Sequence, residues 1–411
     1  ADREVTRWLA ETDVQALMRA DTLNFSDEFC SFLTHTALVP ITFKRRCLTI
    51  NVLSIYFQEQ KKIHHFRVVV NRDAAGLRQD ILNAIDGLED RAHVCRPFAA
   101  TFVNEEGVGP GVTVEFFQLG VRAFLEDANV WSFDEQHRCY WFCESKSEES
   151  SASALFACGV LVAQGVLCNV LVPRVFPRVL YSLLLRDLNS VQYEAPTVGE
   201  LATVDPDLAR TLETVRTYEG EDIGEIFGDL EWPGTSEPVT HDNKEQLVSK
   251  YIEWFFSDRV AKQFEPFSDG FRAVLGKSLL LRRVFDASQL EAVVCGADEP
   301  VDVPAIRAAA VEDGWREDDA SFLDRFWDAV TALSEEDRRR FLLFATASDR
   351  MPLRGWSAIQ LVVRRNGSGD DRLPTAYTCF NTLLLPRYFS HERLRAGLRQ
   401  AILNSQGFGL A

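Results

Sequence analysis

No apolar stretch of this 411-residue sequence is long enough to cross a lipid bilayer. The most apolar segment, residues 155–185, is interrupted by Gln164, Asn169 and two Pro-Arg steps, so we predict a buried helical hairpin there. The sequence start also lacks the charged and then apolar pattern of a signal peptide. Since the first residue is Ala1 and not Met, we expect a piece of a longer protein, with any targeting signal upstream.

An excess of basic residues is lacking too, because 44 Lys and Arg stand against 61 Asp and Glu, a formal net charge of −17. Such a surface repels the phosphates of nucleic acids and of anionic lipids, so we expect neither nucleic acid nor a membrane as a main partner. The same charge favours basic protein partners. Hydrophobic residues make up 46% of the sequence, with 29 Phe and 8 Trp, which is enough for two or three domains with large cores.

The nine cysteines lack the paired spacing of a disulfide framework, and their number is odd. This usage is typical of a reducing compartment, so we expect the cytoplasm, with the nucleus as an additional location. Cys139 and Cys143 lie close together beside His137, but no second ligand pair follows them. Because a zinc site usually needs that second pair, we predict no metal site, expect no cofactor, and interpret both cysteines as small buried residues.

Helical and strand-like patterns are mixed along the chain, which predicts an α+β fold. Apolar residues recur at helical spacing in residues 1–38, 77–88, 115–125, 205–218 and 243–256. Apolar runs rich in β-forming residues are 48–57, 66–70 and 98–103. The pattern breaks at Gly296 and Pro300, where we place the main domain boundary. We therefore expect an N-terminal helical extension (1–60), a larger domain (61–297) and a smaller one (300–411).

The smaller domain has the pattern of a compact α/β unit. Ser334, with Asp337 three residues later, predicts the start of a helix, and Ser390 predicts the start of a last helix that ends at Gly407. Strands are predicted at 359–363 and 380–385.

Cys379 is the candidate nucleophile of this unit. It follows a turn and the stiff Leu373-Pro374 step, at the end of a predicted strand. A thiol on a rigid, exposed loop can attack a carbonyl and keep the acyl group as a thioester. The alternative, a cysteine that is simply buried among apolar residues, stays open on this argument.

The residues around Cys379 resemble the catalytic-loop motif of HECT-type ubiquitin-protein ligases. Residues 373–381 read LPTAYTCFN and residues 383–386 read LLLP, while the end of the chain, GFGLA, resembles the C-terminal tail of that family. Residues 344–352 resemble the segment before its first C-lobe strand. In the larger domain, NEEGV at 104–108 with EFFQL at 115–119 is a looser match. The resemblance covers about residues 65–411.

The resemblance implies a bilobal HECT fold. A mainly helical N-lobe with small β elements would bind a ubiquitin-conjugating enzyme, and a hinge near 296–300 would join it to the α/β C-lobe. Ubiquitin would pass to Cys379 as a thioester and then to a lysine of a protein substrate. Thr378 would orient the thioester carbonyl, Phe408 would anchor the tail, and Glu115 matches a glutamate associated with activity. The alternative roles are a locally hydrogen-bonded hydroxyl for Thr378, simple packing for Phe408 and a solvated surface charge for Glu115.

A short amphipathic segment resembles the helix with which the family forms its groove for the conjugating enzyme. Its candidate contacts are Leu208, Leu212, Tyr218, Ile226 and Phe227. Leu208 and Leu212 lie one helical turn apart, and a single aromatic anchor from the partner is what such a pocket usually accepts. Ordinary core leucines are the alternative interpretation.

Several positions depart from the family pattern. Tyr377 stands where the family usually has His, Ala347 replaces a usual Gly, and Val112 and Val114 replace Gly and Arg. These changes support an alternative function, a catalytically weak HECT-like scaffold that binds ubiquitin or a conjugating enzyme without turnover. A cysteine hydrolase is less favoured, since His391 is the only histidine near Cys379 in the sequence.

Overall fold

The structure is a computed structural model that describes residues 39–60, 65–88, 90–105, 109–135, 137–143 and 149–404. The helices are α1 (Ile41–Gln60), α2 (Ala74–Asp86), α3 (Pro110–Leu125), α4 (Glu149–Leu167), α5 (Arg178–Asp187), α6 (Val198–Leu201), α7 (Pro206–Thr217), α8 (Ile223–Ile226), α9 (Lys244–Phe256), α10 (Ala261–Leu275), α11 (Leu279–Val284), α12 (Ala287–Cys295), α13 (Val303–Ala309), α14 (Ala320–Thr331), α15 (Glu335–Thr346) and α16 (His391–Asn404). The strands are β1 (Phe66–Val70), β2 (Phe98–Phe102), β3 (Trp131–Asp134), β4 (Cys139–Phe142), β5 (Val311–Asp313), β6 (Val362–Ser368), β7 (Thr375–Tyr377) and β8 (Thr382–Arg387). Helices with small separate sheets confirm the predicted α+β class.

The described residues form two hydrophobic clusters that divide near residue 300. The first contains buried side chains from Val39 to Cys295, and the second contains those from Val301 to Ile402. The first includes two small sheets, in which β1 pairs with β2 in parallel and β3 pairs with β4 antiparallel. The hairpin predicted at 155–185 corresponds to α4 and α5, whose central side chains are buried.

Helices α4 and α10 cross closely in the middle of the first cluster, and a glycine from each makes this approach possible. A Cβ added to Gly159 would lie 2.0 Å from the carbonyl oxygen of Phe267, and one added to Gly270 would lie 2.0 Å from that of Phe156. The two backbones therefore touch where a side chain would separate them. This contact fixes how α4 and α10 pack within the first cluster.

Gly159→Ala is expected to lower the free energy of unfolding by about 3 kcal/mol, since the new methyl group must push two buried helices apart. Urea unfolding followed by circular dichroism measures this change. Gly199→Ala is the matched control, because a Cβ there meets its nearest atom, Thr197 Oγ1, at 3.7 Å. The control is expected to keep or slightly raise stability through the better helix propensity of Ala. Equal stability of the two variants would contradict the close crossing.

Residues 48–57 were predicted as β-rich, and that prediction is wrong, because they lie in helix α1. Leu48, Val52 and Tyr56 recur every four residues and are all buried, which is the spacing of one helical face. Local β-propensity misled here because packing of that face against the first cluster decides the structure. Residues 1–38 of the expected helical extension lie outside the described residues.

The second cluster is built on a four-stranded sheet of order β5-β6-β8-β7. Strands β5, β6 and β8 are parallel, and β7 is antiparallel to β8. The predicted strands at 359–363 and 380–385 are found slightly later, as β6 and β8. The predicted helix start is confirmed, because the Ser334 hydroxyl accepts from the Asp337 N–H at 3.2 Å. The sheet holds the segment between β7 and β8 at its edge.

Within the described segments, none of the helices combines the length and the apolar character needed to cross a membrane. In the same segments, no group of three or more His, Cys, Asp and Glu residues is arranged to hold a metal ion.

Candidate active site

Cys379 lies in a 3-10 turn, Thr378–Phe380, that joins the antiparallel strands β7 and β8. Asn381 closes the turn in the left-handed region, with φ of 46°, a conformation that Asn tolerates better than most residues. Its backbone N–H donates to the Thr378 carbonyl at 3.1 Å, and its side-chain amide donates to the Ile359 carbonyl at 2.8 Å. Asn381 therefore closes the turn that carries the cysteine and ties its C-terminal end to Ile359.

The surface around this turn is open. Tyr377 is 57% exposed and Phe380 is 65% exposed, while Thr378 is partly buried. Large apolar side chains rarely stay this exposed close to one another without a partner. The turn is thus placed where a macromolecule can reach its backbone.

Most other described cysteines are poor nucleophiles. Burial raises the pKa of Cys47, Cys139 and Cys168 to about 11 and that of Cys158 and Cys295 to about 12. These thiols stay protonated at neutral pH, and only the thiolate attacks a carbonyl. Few other described cysteines could therefore act as the nucleophile, which supports Cys379 in that role. The expected burial of the close pair holds for Cys139, whereas Cys143 is partly exposed.

A charged cluster formed by Arg72, Glu105 and Glu115 lies at helix α3. The Arg72 guanidinium donates to both carboxylates, including a bond of 3.1 Å to Glu115 Oε2, and it stacks 4.1 Å above the Phe102 ring. These bonds raise the pKa of Arg72, and the bond from Arg72 lowers the pKa of Glu105. One cation and two anions leave one net negative charge. Glu115 is thus an ion-paired, partly buried acid and not a plain solvated one.

The turn and the charged cluster meet at the start of α3. A Cβ added to Gly111 would lie 2.7 Å from Phe380 Cε1, so the Phe380 ring rests directly on the backbone of α3. Gly111 and Glu115 are one helical turn apart on the same face. The structure therefore brings the predicted residues Cys379, Thr378 and Glu115 into one region.

The two clusters also meet at a junction, formed by residues 291–298 and 350–353. Ala297 and Met351 exchange backbone hydrogen bonds of 2.8 and 3.0 Å, and the adjacent Gly296 has φ of +92°. Arg350, buried to 5% exposure, contacts Glu291 at 3.5 Å and Asp298 at 3.2 Å. Arg178 donates to the buried Glu291 carboxylate at 2.9 Å. Ion pairs and backbone bonds thus fasten the connecting segment.

The five residues predicted to bind a partner lie on or after helix α7, in differing environments. Ile226 is 54% exposed, Leu208 is partly buried, and Leu212 is fully buried, so Leu212 supports this surface from below. Tyr218 meets the Phe227 ring edge-on at 5.4 Å and donates its hydroxyl proton to Asp222. Exposed acids lie close to Ile226 in the sequence, namely Glu219, Glu221, Asp222, Glu225, Asp229 and Glu231.

Phe408, predicted to anchor the tail, lies outside the described residues. Conversely, sequence reasoning missed Arg72, Gly111, Glu291 and Arg350. Arg72, Gly111 and Glu291 have no motif of their own, Arg350 lies in the matched segment 344–352 without a role assigned there, and the partners of all four are far away in the sequence. A buried Glu or a Gly inside a helix is a weak signal until the contact is seen.

A family model described as HECT-domain (ubiquitin-transferase) matches residues 118–411. Among curated proteins, the probable E3 ubiquitin-protein ligase HERC4 of Homo sapiens is 29% identical over 382 residues, covering 88% of this chain and 34% of that protein. The probable E3 ubiquitin-protein ligase HECTD2 of Mus musculus is 30% identical over 344 residues, covering 78% of this chain and 44% of that protein. This chain thus spans between a third and a half of the length of these relatives.

Proposed function

The chain belongs to the HECT-domain (ubiquitin-transferase) family, and from this premise we propose that it accepts ubiquitin from a ubiquitin-conjugating enzyme as a thioester on Cys379 and transfers it to a substrate lysine. The observation that carries the proposal is the 3-10 turn at Cys379, which is held by Asn381 and flanked by the exposed Tyr377 and Phe380. No cofactor is needed for either step.

The first step is an exchange of thioesters. The Cys379 thiolate attacks the carbonyl carbon of the ubiquitin C-terminus, the new C–S bond forms, and the thiolate of the conjugating enzyme leaves. Because one thioester replaces another, the exchange is close to isoenergetic, and positioning is the main task of the protein.

The second step forms an amide. The lysine amine attacks the same carbonyl, the C–N bond forms, and Cys379 leaves as a thiolate, while the amine must give up a proton. We assign attraction of the lysine ammonium to the net negative cluster of Arg72, Glu105 and Glu115, and acceptance of the proton to the Glu115 carboxylate. We assign orientation of the carbonyl to Thr378, one residue before the nucleophile.

Two lobes are part of the proposal. Residues 61–297 would form the N-lobe and 300–411 the C-lobe, each around its own hydrophobic cluster. Since Ala297 is already bonded to Met351, the pivot would lie at Gly296, whose positive φ suits glycine. The hinge would thus lie one residue before the backbone hydrogen bonds between Ala297 and Met351.

The test is a reaction with ubiquitin-activating enzyme, a conjugating enzyme, ubiquitin and ATP. We expect a ubiquitin adduct of the chain that disappears on treatment with a thiol reductant, as a thioester does. The alternative function, a catalytically weak scaffold motivated by Tyr377 and Val114, would show binding of ubiquitin or the conjugating enzyme with no adduct under the same conditions. A panel of conjugating enzymes without any adduct would therefore reject the proposed function.

The conjugating enzyme is proposed to dock on the surface around Ile226. Ile226→Ala is expected to weaken this docking by about 1–2 kcal/mol, or about tenfold in affinity, because an exposed aliphatic anchor is lost. The rate of adduct formation at low conjugating-enzyme concentration measures it. Val191→Ala is the matched control, since Val191 is 74% exposed and lies outside this surface. Equal rates for both variants would place the docking surface elsewhere.

A further inference from the structure

A glycine in the first turn of helix α3 has no local reason to be there. Gly111 is the second residue of the helix, after Pro110, where most residues would favour the helix more than glycine does. Its φ is not in the left-handed region that favours glycine. What the position does require is an absent side chain, because an added Cβ would lie 2.7, 3.3 and 3.4 Å from three atoms of the Phe380 ring.

We propose that Gly111 is a socket for Phe380, and that this contact docks the Cys379 turn beside the charged cluster for transfer of ubiquitin to lysine. The inference rests on the proposed function and concerns its second step. Phe380 immediately follows Cys379 in the same 3-10 turn, so fixing its ring fixes the backbone of the nucleophile. Phe380 and Gly111 are positioning residues, since neither touches the reacting atoms.

The position of Gly111 on the same helix face as Glu115 assigns the Gly111–Phe380 contact to the second step, the transfer of ubiquitin to lysine. Gly111 and Glu115 point from the same face of α3, and residues one turn apart on a helix have Cβ atoms about 5–6 Å apart. A turn seated on Gly111 is therefore about one helical turn from the Glu115 carboxylate, which Arg72 holds in place. Docking thus brings the thioester to the negative charge that attracts the lysine ammonium.

The contact is also suited to being released. Phe380 remains 65% exposed while it rests on Gly111, so only part of the ring is covered. A contact of this size can form and break as the two clusters change their relative position. We therefore expect loading from the conjugating enzyme to proceed without the Gly111–Phe380 contact, and discharge to lysine to depend on it.

The experiment separates the two steps. The chain is first loaded with labelled ubiquitin, the loading is stopped, and free lysine is then added as the acceptor. Gly111→Ala, whose methyl group would unseat the ring, is expected to load at the wild-type rate and to discharge about 10- to 100-fold more slowly. Phe380→Ala is expected to slow discharge by the same factor, and this variant is compared by its discharge rate alone. A general loss of stability would lower loading together with discharge.

The two changes should also depend on each other. If both act through one contact, the double variant discharges no more slowly than either single variant. Gly120→Ala is the matched control on the same helix, because a Cβ there meets Ile81 and Leu161 at an acceptable 3.4 Å. Wild-type discharge by Gly111→Ala, or additive losses in the double variant, would overturn the inference and leave the proposed function intact. Absence of any wild-type adduct would overturn both.

Discussion

Cys379→Ser is expected to replace the thiol-sensitive ubiquitin adduct by one that resists reductant, and Cys379→Ala is expected to abolish the adduct. A serine hydroxyl can attack the same carbonyl only weakly, but the oxyester that it forms does not exchange with thiols. Alanine offers no nucleophile at all. Gel analysis of the reaction with and without reductant, followed by mild alkali to cleave the oxyester, distinguishes the three outcomes.

Cys143→Ala is the control for this experiment, because Cys143 is a partly exposed free cysteine outside the proposed site. We expect it to form the thiol-sensitive adduct at the wild-type level. An adduct that persists unchanged in Cys379→Ala would show that another residue carries ubiquitin. The five described cysteines whose pKa burial raises to about 11 or 12 would be weak candidates for that role.

Local sequence patterns predicted the parts of the fold that depend on neighbouring residues. The cap at Ser334 is confirmed, and so are the β1 and β2 strands and the mixture of helices with small sheets. The prediction at 48–57 failed because a run of β-branched and aromatic residues also fits one buried helical face, and the period of four was overlooked. The core to which that face packs is assembled from distant segments.

The candidate site divides in the same way. The motif at residues 373–381 was enough to predict the turn that carries Cys379, since that turn is built from consecutive residues. The socket at Gly111 and the ion pairs of Arg72 depend on how far-apart segments fold together, so no spacing rule could find them. Leu212 shows a further limit of sequence patterns. An amphipathic helix has apolar residues on its partner-binding surface and on its core face, and the pattern did not tell that this leucine is fully buried.

Glu291→Ala is expected to lower the free energy of unfolding by about 3–5 kcal/mol, the largest stability effect that we predict for a single substitution. Glu291 is 3% exposed and its carboxylate contacts Arg178 at 2.9 Å and both Arg174 and Arg350 at 3.5 Å. Removing it leaves Arg350, itself 5% exposed, with a buried charge that is paired only with the more exposed Asp298. Breaking one side of a buried pair costs far more than an exposed pair contributes.

Asp298→Ala is the matched control, because it removes a carboxylate from the same arginine, and from the partly exposed Arg339, at a position that is 51% exposed. Solvent already screens that pair, so we expect a loss of less than about 1 kcal/mol. Urea unfolding of both variants measures the difference, and limited proteolysis at residues 296–300 reports whether the junction has opened. Because Glu291 lies on helix α12, whose apolar side chains belong to the first cluster, and Arg350 precedes Met351, which packs against the second, its loss should expose the junction before either core unfolds. Stability of Glu291→Ala within 1 kcal/mol of the parent would mean that the backbone bonds of Ala297 and Met351 hold the junction without the ion pairs.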